Sequence, residues 1–189
     1  MEKQQAEIAE EIEAIEKELR AKIDPNLLPL PRPGVLVWPT GTPVRLSQGY
    51  GQTNFALYNY KGKHHNGIDI AGPLGTEIYA AEDGEVLAVG DQDRFCRRAA
   101  YGKYVVIKHA NSLTTLYAHM SGQVVSVGQK VSREQLIGYM GKTGWATGPH
   151  LHFTVWSSLT YLVKPSRVCG PMPVGGDINP LQYLEKPPV

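Results

Sequence analysis

The chain has 189 residues, 42% of them hydrophobic, which suits one ordinary domain with a real core plus an appendage. Its formal net charge of +1 divides into −3 over the first 22 residues, seven Glu against four Lys or Arg, and +4 over the rest, 15 basic against 11 acidic; that balance suits an anionic polymer and is too small to imply nucleic acid. No run of about 18 apolar residues exists to form a transmembrane helix, and Cys96 and Cys169 permit one disulfide but no cysteine zinc knuckle.

Residues 1–23 read as a helix. Ile8, Ile12, Ile15 and Leu19 recur at 4-3-4 spacing between Glu and Lys, a heptad seam of about three repeats. The seam fits the end of a coiled coil with a partner, or a helix lying on its own domain. An isolated helix of this length is marginal in water, so either way it needs something to pack on. No basic n-region followed by an apolar run is visible, so an export signal is expected outside this chain. Residues 24–43 hold six prolines (25, 29, 31, 33, 39 and 43) and read as an extended linker.

From Val44 the texture changes to short β-type runs. These are Glu77–Ala81, Gly84–Val89, Tyr104–His109, Thr114–His119, Val124–Val127, Leu136–Met140 and Leu151–Trp156. Asp83-Gly84, Asn111-Ser112 and Ser121-Gly122 punctuate them. No stretch after residue 44 keeps a helical period over ten positions. The expected fold is mostly β over 44–189, an antiparallel sheet with loops forming one side of a cleft. Ser157 to Val189 is expected to be irregular, with a turn around Pro180–Tyr183.

Five of six histidines fall in three groups: His64 and His65 ahead of Asp69, His119 after Tyr117-Ala118, and His150 with His152. Residues i and i+2 of a strand share a face, so His150 and His152 project together. His65 and Asp69 add a nitrogen and a carboxylate four positions apart, and Gly67 between them lets the backbone turn or approach closely. Two histidines and a carboxylate leave one position of a zinc site open for water, as catalytic sites do. Zinc lowers that water's pKa to about 7. A nearby histidine can take its proton, and another can hold an oxyanion. Singly, each group has a plainer reading: a hydrogen-bonded strand face, a chance loop pair, a strand end. His109 reads as structural, and His64 stays open.

These residues resemble the lysostaphin/LytM-type zinc metallopeptidases over roughly Trp38 to Phe153. HxGxD stands as His65-Asn66-Gly67-Ile68-Asp69, YAH as Tyr117-Ala118-His119, and HLHF as His150-Leu151-His152-Phe153. The connecting phrases Gly72-Pro73-Leu74-Gly75-Thr76 and Val127-Gly128-Gln129-Lys130-Val131 match too. The resemblance implies an antiparallel β-sheet with a groove for an extended peptide. His65, Asp69 and His152 would be Zn2+ ligands, and His119 and His150 the catalytic pair, with His150 preferred as base. It implies a hydrolase, a zinc endopeptidase cutting the peptide cross-links of bacterial peptidoglycan, secreted or periplasmic. The alternative is a catalytically silent LytM-like regulator of cell-wall amidases, which the full set of five site residues weighs against. Tyr58 and Tyr60 are candidates for an oxyanion-assisting tyrosine. The insertions Asp91–Ala100 and Ser157–Gly176 depart from the family pattern. Each holds one cysteine, and an oxidising compartment would pair Cys96 with Cys169.

Overall fold

The computed structural model describes residues 2–59 and 64–187. In chain order they form α1 (Glu2–Arg20), β1 (Arg45–Gln48), α2 (Asn54–Asn59), β2 (Ile68–Ala71), β3 (Glu77–Tyr79), β4 (Gly84–Asp91) and β5 (Lys103–His109). There follow β6 (Leu113–Gln123), β7 (Lys130–Val131), β8 (Leu136–Met140), β9 (His150–Ser157), β10 (Leu162–Ser166), β11 (Gly170–Val174) and β12 (Asp177–Ile178).

Ten strands make one sheet in the order β1-β2-β9-β6-β5-β4-β7, with β12 beside β9 and the β3–β8 pair joined through β6. Its pairings are antiparallel. The mostly β, antiparallel expectation is met.

β9 explains how one strand serves two layers. Leu151, Phe153 and Val155 alternate into the main core beside Ile68, Ile70, Leu113 and Tyr117. His150, His152, Thr154 and Trp156 therefore take the other face, since side chains alternate along a strand. There Trp156 packs with Tyr101, Tyr104, Val106, Leu116 and Ala118 in a second apolar layer. The histidine face of β9 is thus open at its start and roofed at its end.

The roof is α1. Ile8 and Leu19 are buried, at 1% and 7% exposure, and Ile12 and Ile15 pack beside them on Cys96, Ala99, Cys169, Met172 and Val174. The helix seam is thus buried against this chain's own domain. Polar ties hold it along its length: Gln5 to Arg98 O, Ser166 to Glu11, Trp156 to Glu16, and Arg20 to Asp177.

Three expectations need correcting. Val124–Val127 is not a strand; Val124 and Val127 are half-exposed or more, and the ladder resumes at β7. The tail after Ser157 is not irregular, because β10 and β11 form a hairpin in which Pro165 stands opposite Pro171. Both strands of a two-stranded ribbon are edges, where a missing N–H is tolerated. The six-residue helix α2 agrees with the expectation that no helical period lasts ten positions after residue 44. The Pro-rich stretch also does more than link: Leu36 and Trp38 are buried in the main core, and Leu36 N–H donates to Tyr183 O.

Cys96 and Cys169 are joined as a disulfide with Cα atoms 4.8 Å apart, 73 positions apart in sequence. The bridge ties the loop after β4 to the β10–β11 hairpin directly beneath α1.

Candidate active site

Three neighbouring strands converge on one face. Asp69 of β2 stands directly opposite His152 of β9, and Ala71 opposite His150. Across the other edge of β9, Ala118 of β6 stands opposite His152. His65 comes in on the approach to β2. A Cβ on Gly67 would lie 2.4 Å from Phe153 O, so only glycine lets this approach lie so close to β9.

His65 Nε2, Asp69 Oδ1 and His152 Nδ1 form a near-equilateral triangle with sides of 3.1, 3.2 and 2.9 Å. Ligand atoms about 2.0–2.2 Å from a tetrahedral zinc stand roughly 3.3–3.6 Å apart. The three donor atoms stand a few tenths of an ångström closer than that. Their outer nitrogens are tied off. His65 Nδ1–H donates to Gly49 O at 2.7 Å, and His152 Nε2–H to Thr154 Oγ1 at 2.9 Å. These bonds aim Nε2 of one ring and Nδ1 of the other inward, the arrangement that orients metal-binding imidazoles. Burial alone would raise the Asp69 carboxyl, yet the charges and hydrogen bonds of His65 and His152 hold it well below the usual range. The donor set, one carboxylate and two imidazoles on one triangle, fits zinc.

His119 and His150 stand beside the triangle with ring centroids 4.6 Å apart. His119 Nδ1–H donates to Thr143 O at 2.8 Å and His150 Nδ1–H to Gly148 O at 2.9 Å, which leaves each Nε2 as the free nitrogen. His150 Nε2 is 3.8 Å from Asp69 Oδ1. Burial, then the proximity of His150 and His152, pushes His119 well below the usual imidazole range.

His119 reaches this face only through a bulge. Tyr117 and Met120 both belong to the main core, so strict alternation would send His119 there as well. The β5–β6 register shifts at this point, and His119 has φ 61°, a left-handed conformation rare outside glycine. Such strain persists where surrounding structure enforces it, commonly at functional sites.

The structure thus brings His65, Asp69, His119, His150 and His152 together. His64 lies outside the triangle; its Nε2 is 2.7 Å from Asp177 Oδ2. His109 is buried between Asp83 O and Thr115 Oγ1. Tyr58 is 89% exposed, and Tyr60 lies outside the described residues. Sequence reasoning missed the support for the ligand segment. Asn66 Nδ2 donates to Glu16 Oε2 at 2.7 Å and lies 3.0 Å from Tyr101 OH. Trp156 Nε1–H donates to the other Glu16 oxygen. Nothing in the helix marks Glu16 apart from its six neighbouring glutamates.

The model of peptidase family M23 matches residues 63–165, which is 103 of the 189. The chain belongs to peptidase family M23. Peptidoglycan DD-endopeptidase ShyA of Vibrio cholerae serotype O1 is 40% identical over 117 residues, covering 61% of this chain and 26% of ShyA. The chain therefore spans about a quarter of that relative's length. Among solved structures, a mutant catalytic domain of the prophage-encoded M23 protein EnpA from Enterococcus faecalis superposes with a TM-score of 0.56 at 31% identity, covering 74% of this chain and 91% of that one. A zinc-containing peptidase from Vibrio cholerae gives 0.56 at 30% identity, covering 72% and 37%. In this M23 chain α1 lies outside the matched residues, although Glu16 bonds Asn66 in the loop that carries His65.

Proposed function

We propose that this M23 chain is a zinc-dependent endopeptidase that hydrolyses peptide cross-links of bacterial peptidoglycan. The observation that carries the reading is the donor triangle of His65, Asp69 and His152 with the free Nε2 atoms of His119 and His150 beside it. His65, Asp69 and His152 would hold the metal. When bound, zinc supplies Lewis acidity, which polarises a peptide carbonyl and brings the pKa of water down to about 7.

The remaining roles belong to the protein. His150 Nε2 would accept the proton of the attacking water and return it to the leaving amine. His119, kept neutral by burial, has its Nδ1–H committed to Thr143 O. Its Nε2 is therefore an acceptor, able to orient the attacking water for His150. An extended peptide has room beside these groups, in a cavity of about 410 Å³ bordered by Arg45, Gln48, Phe55 and Thr147.

The peptidoglycan endopeptidase among the relatives supports the substrate class. The disulfide and that substrate both support an extracytoplasmic location. A coiled-coil partner is not needed to bury the seam of residues 1–23, which the domain already covers. The test is clearance of purified sacculi by the zinc-loaded protein and by His150→Ala. The wild type should clear them and the variant should not. A wild type that holds one zinc and leaves the wall intact would instead be the silent amidase regulator.

A further inference from the structure

The metal-site histidines border two cavities. The larger is the open groove described above. The second, about 90 Å³, lies between α1 and the domain, where Ile8, Ala9 and Ile12 face Ala100, Trp145 and His65. His119 and His152 border both, so both spaces lie against the candidate metal centre.

We propose that α1 is a fixed wall of the cleft, and that its cavity is the subsite for a small, uncharged substrate residue on one side of the scissile bond. The proposal rests on the peptidase reading and adds a specificity element from outside the family-matched residues. Size sets the first limit. A dry cavity of about 150 Å³ holds a benzene ring, so one of about 90 Å³ takes a methyl or isopropyl group but no ring or long chain.

Charge sets the second. The ionisable α1 groups at the cavity are Glu13 and Glu16. Glu13 is committed to Arg20 at 2.6 Å. Glu16 is fully buried and bonded to Asn66 and Trp156, and burial pushes its carboxyl well above the usual range. A substrate ammonium would thus gain no uncommitted carboxylate from α1, and a substrate carboxylate would lie against both acids.

Anchoring argues for a wall rather than a removable lid. Withdrawing α1 would strip the indole of Trp156 of its acceptor, take Arg20 from the buried Asp177, and expose Ile8 and Leu19.

The experiment measures kcat/KM for peptides in which each residue flanking the scissile bond is varied through Gly, Ala, Leu, Glu and Lys. Wild type should fall about ten-fold or more from Ala to Leu, Glu or Lys on one side only, the scale of discrimination a tight apolar pocket gives. Ala9→Phe, which fills the cavity, should lower the Ala-to-Gly ratio on that side about ten-fold. Ile12→Ala, which widens it, should raise the Leu-to-Ala ratio there. Zinc content reports that each variant is folded. Ratios unchanged within about two-fold in both variants would overturn the proposal. So would a uniform rise in kcat/KM for every peptide, the mark of a lid. A zinc-loaded wild type that cuts no peptide would sink the peptidase reading itself, and the subsite with it.

Discussion

Asp69 and His64 sit five positions apart in one loop and strand, yet they answer to different partners. Asp69 Oδ1 touches both inward nitrogens of the triangle, whereas His64 leans on Asp177. Asp69→Ala should therefore release zinc, while His64→Ala should keep it; elemental analysis of the purified variants decides, and full zinc in Asp69→Ala would refute the ligand set. For the pair beside the triangle, His119→Ala and His150→Ala should each retain zinc and lose about two to four orders of magnitude in turnover. Together they should lose far less than the product, because they serve one transition state. Near-wild-type turnover in either single variant would remove that residue from the mechanism. The triangle of His65, Asp69 and His152 was legible through the family resemblance, whereas spacing alone says only that HxH shares a strand face. The turn of His119 into the cleft was not. It depends on a bulge that drops Ala118 and His119 on one face, and no residue type there announces a positive φ. Gly49 O and Thr143 O, which fix the tautomers, are backbone atoms and leave no mark in the sequence.

Helix α1 shows how an element can be readable while its partner is not. Its seam is plain in the spacing, but a heptad seam fits a second helix and a domain surface equally well. What decides is the apolar seat around Cys96, Cys169 and Met172, assembled from segments some 70 residues apart. Ile8 is 1% exposed, so Ile8→Ala should cost about 2–5 kcal/mol in denaturant unfolding; a loss within about 0.5 kcal/mol would mean the seam is not docked. Glu16 adds a pH signature. Burial raises its folded pKa well above the unfolded value of 4.5, so its contribution is fully present below 4.5 and is lost as pH rises through the folded pKa. The melting temperature of wild type relative to Glu16→Gln should therefore fall as pH is raised from 5 to 8. A difference that stays flat would show Glu16 to be ionised throughout. The proline-rich stretch misled for a related reason: Leu36 and Trp38 reach the core from between prolines, where no period betrays burial.

At the scale of the whole molecule, the disulfide closes a loop of 73 residues, for which chain entropy gives roughly 4 kcal/mol. Reduction should lower the melting temperature by roughly 10 °C for a chain of this size and leave zinc in place, since neither sulfur belongs to the triangle. Loss of zinc on reduction, followed by metal analysis after desalting, would tie the bridge to the site instead. The β-rich class and the central strands could be read from alternation. The β10–β11 hairpin could not, because its prolines imitate loop composition and edge pairing is invisible locally. On the proposed reading the sheet brings the three donors of the triangle and the pair His119 and His150 to one groove. The most direct measurement is mass spectrometry of cross-linked muropeptide dimers incubated with the zinc-loaded protein. The dimers should be converted to monomers with the gain of one water per bond, chelation should stop the conversion, and added zinc should restore it. Dimers that persist unchanged beside a protein carrying one zinc per chain would contradict the account.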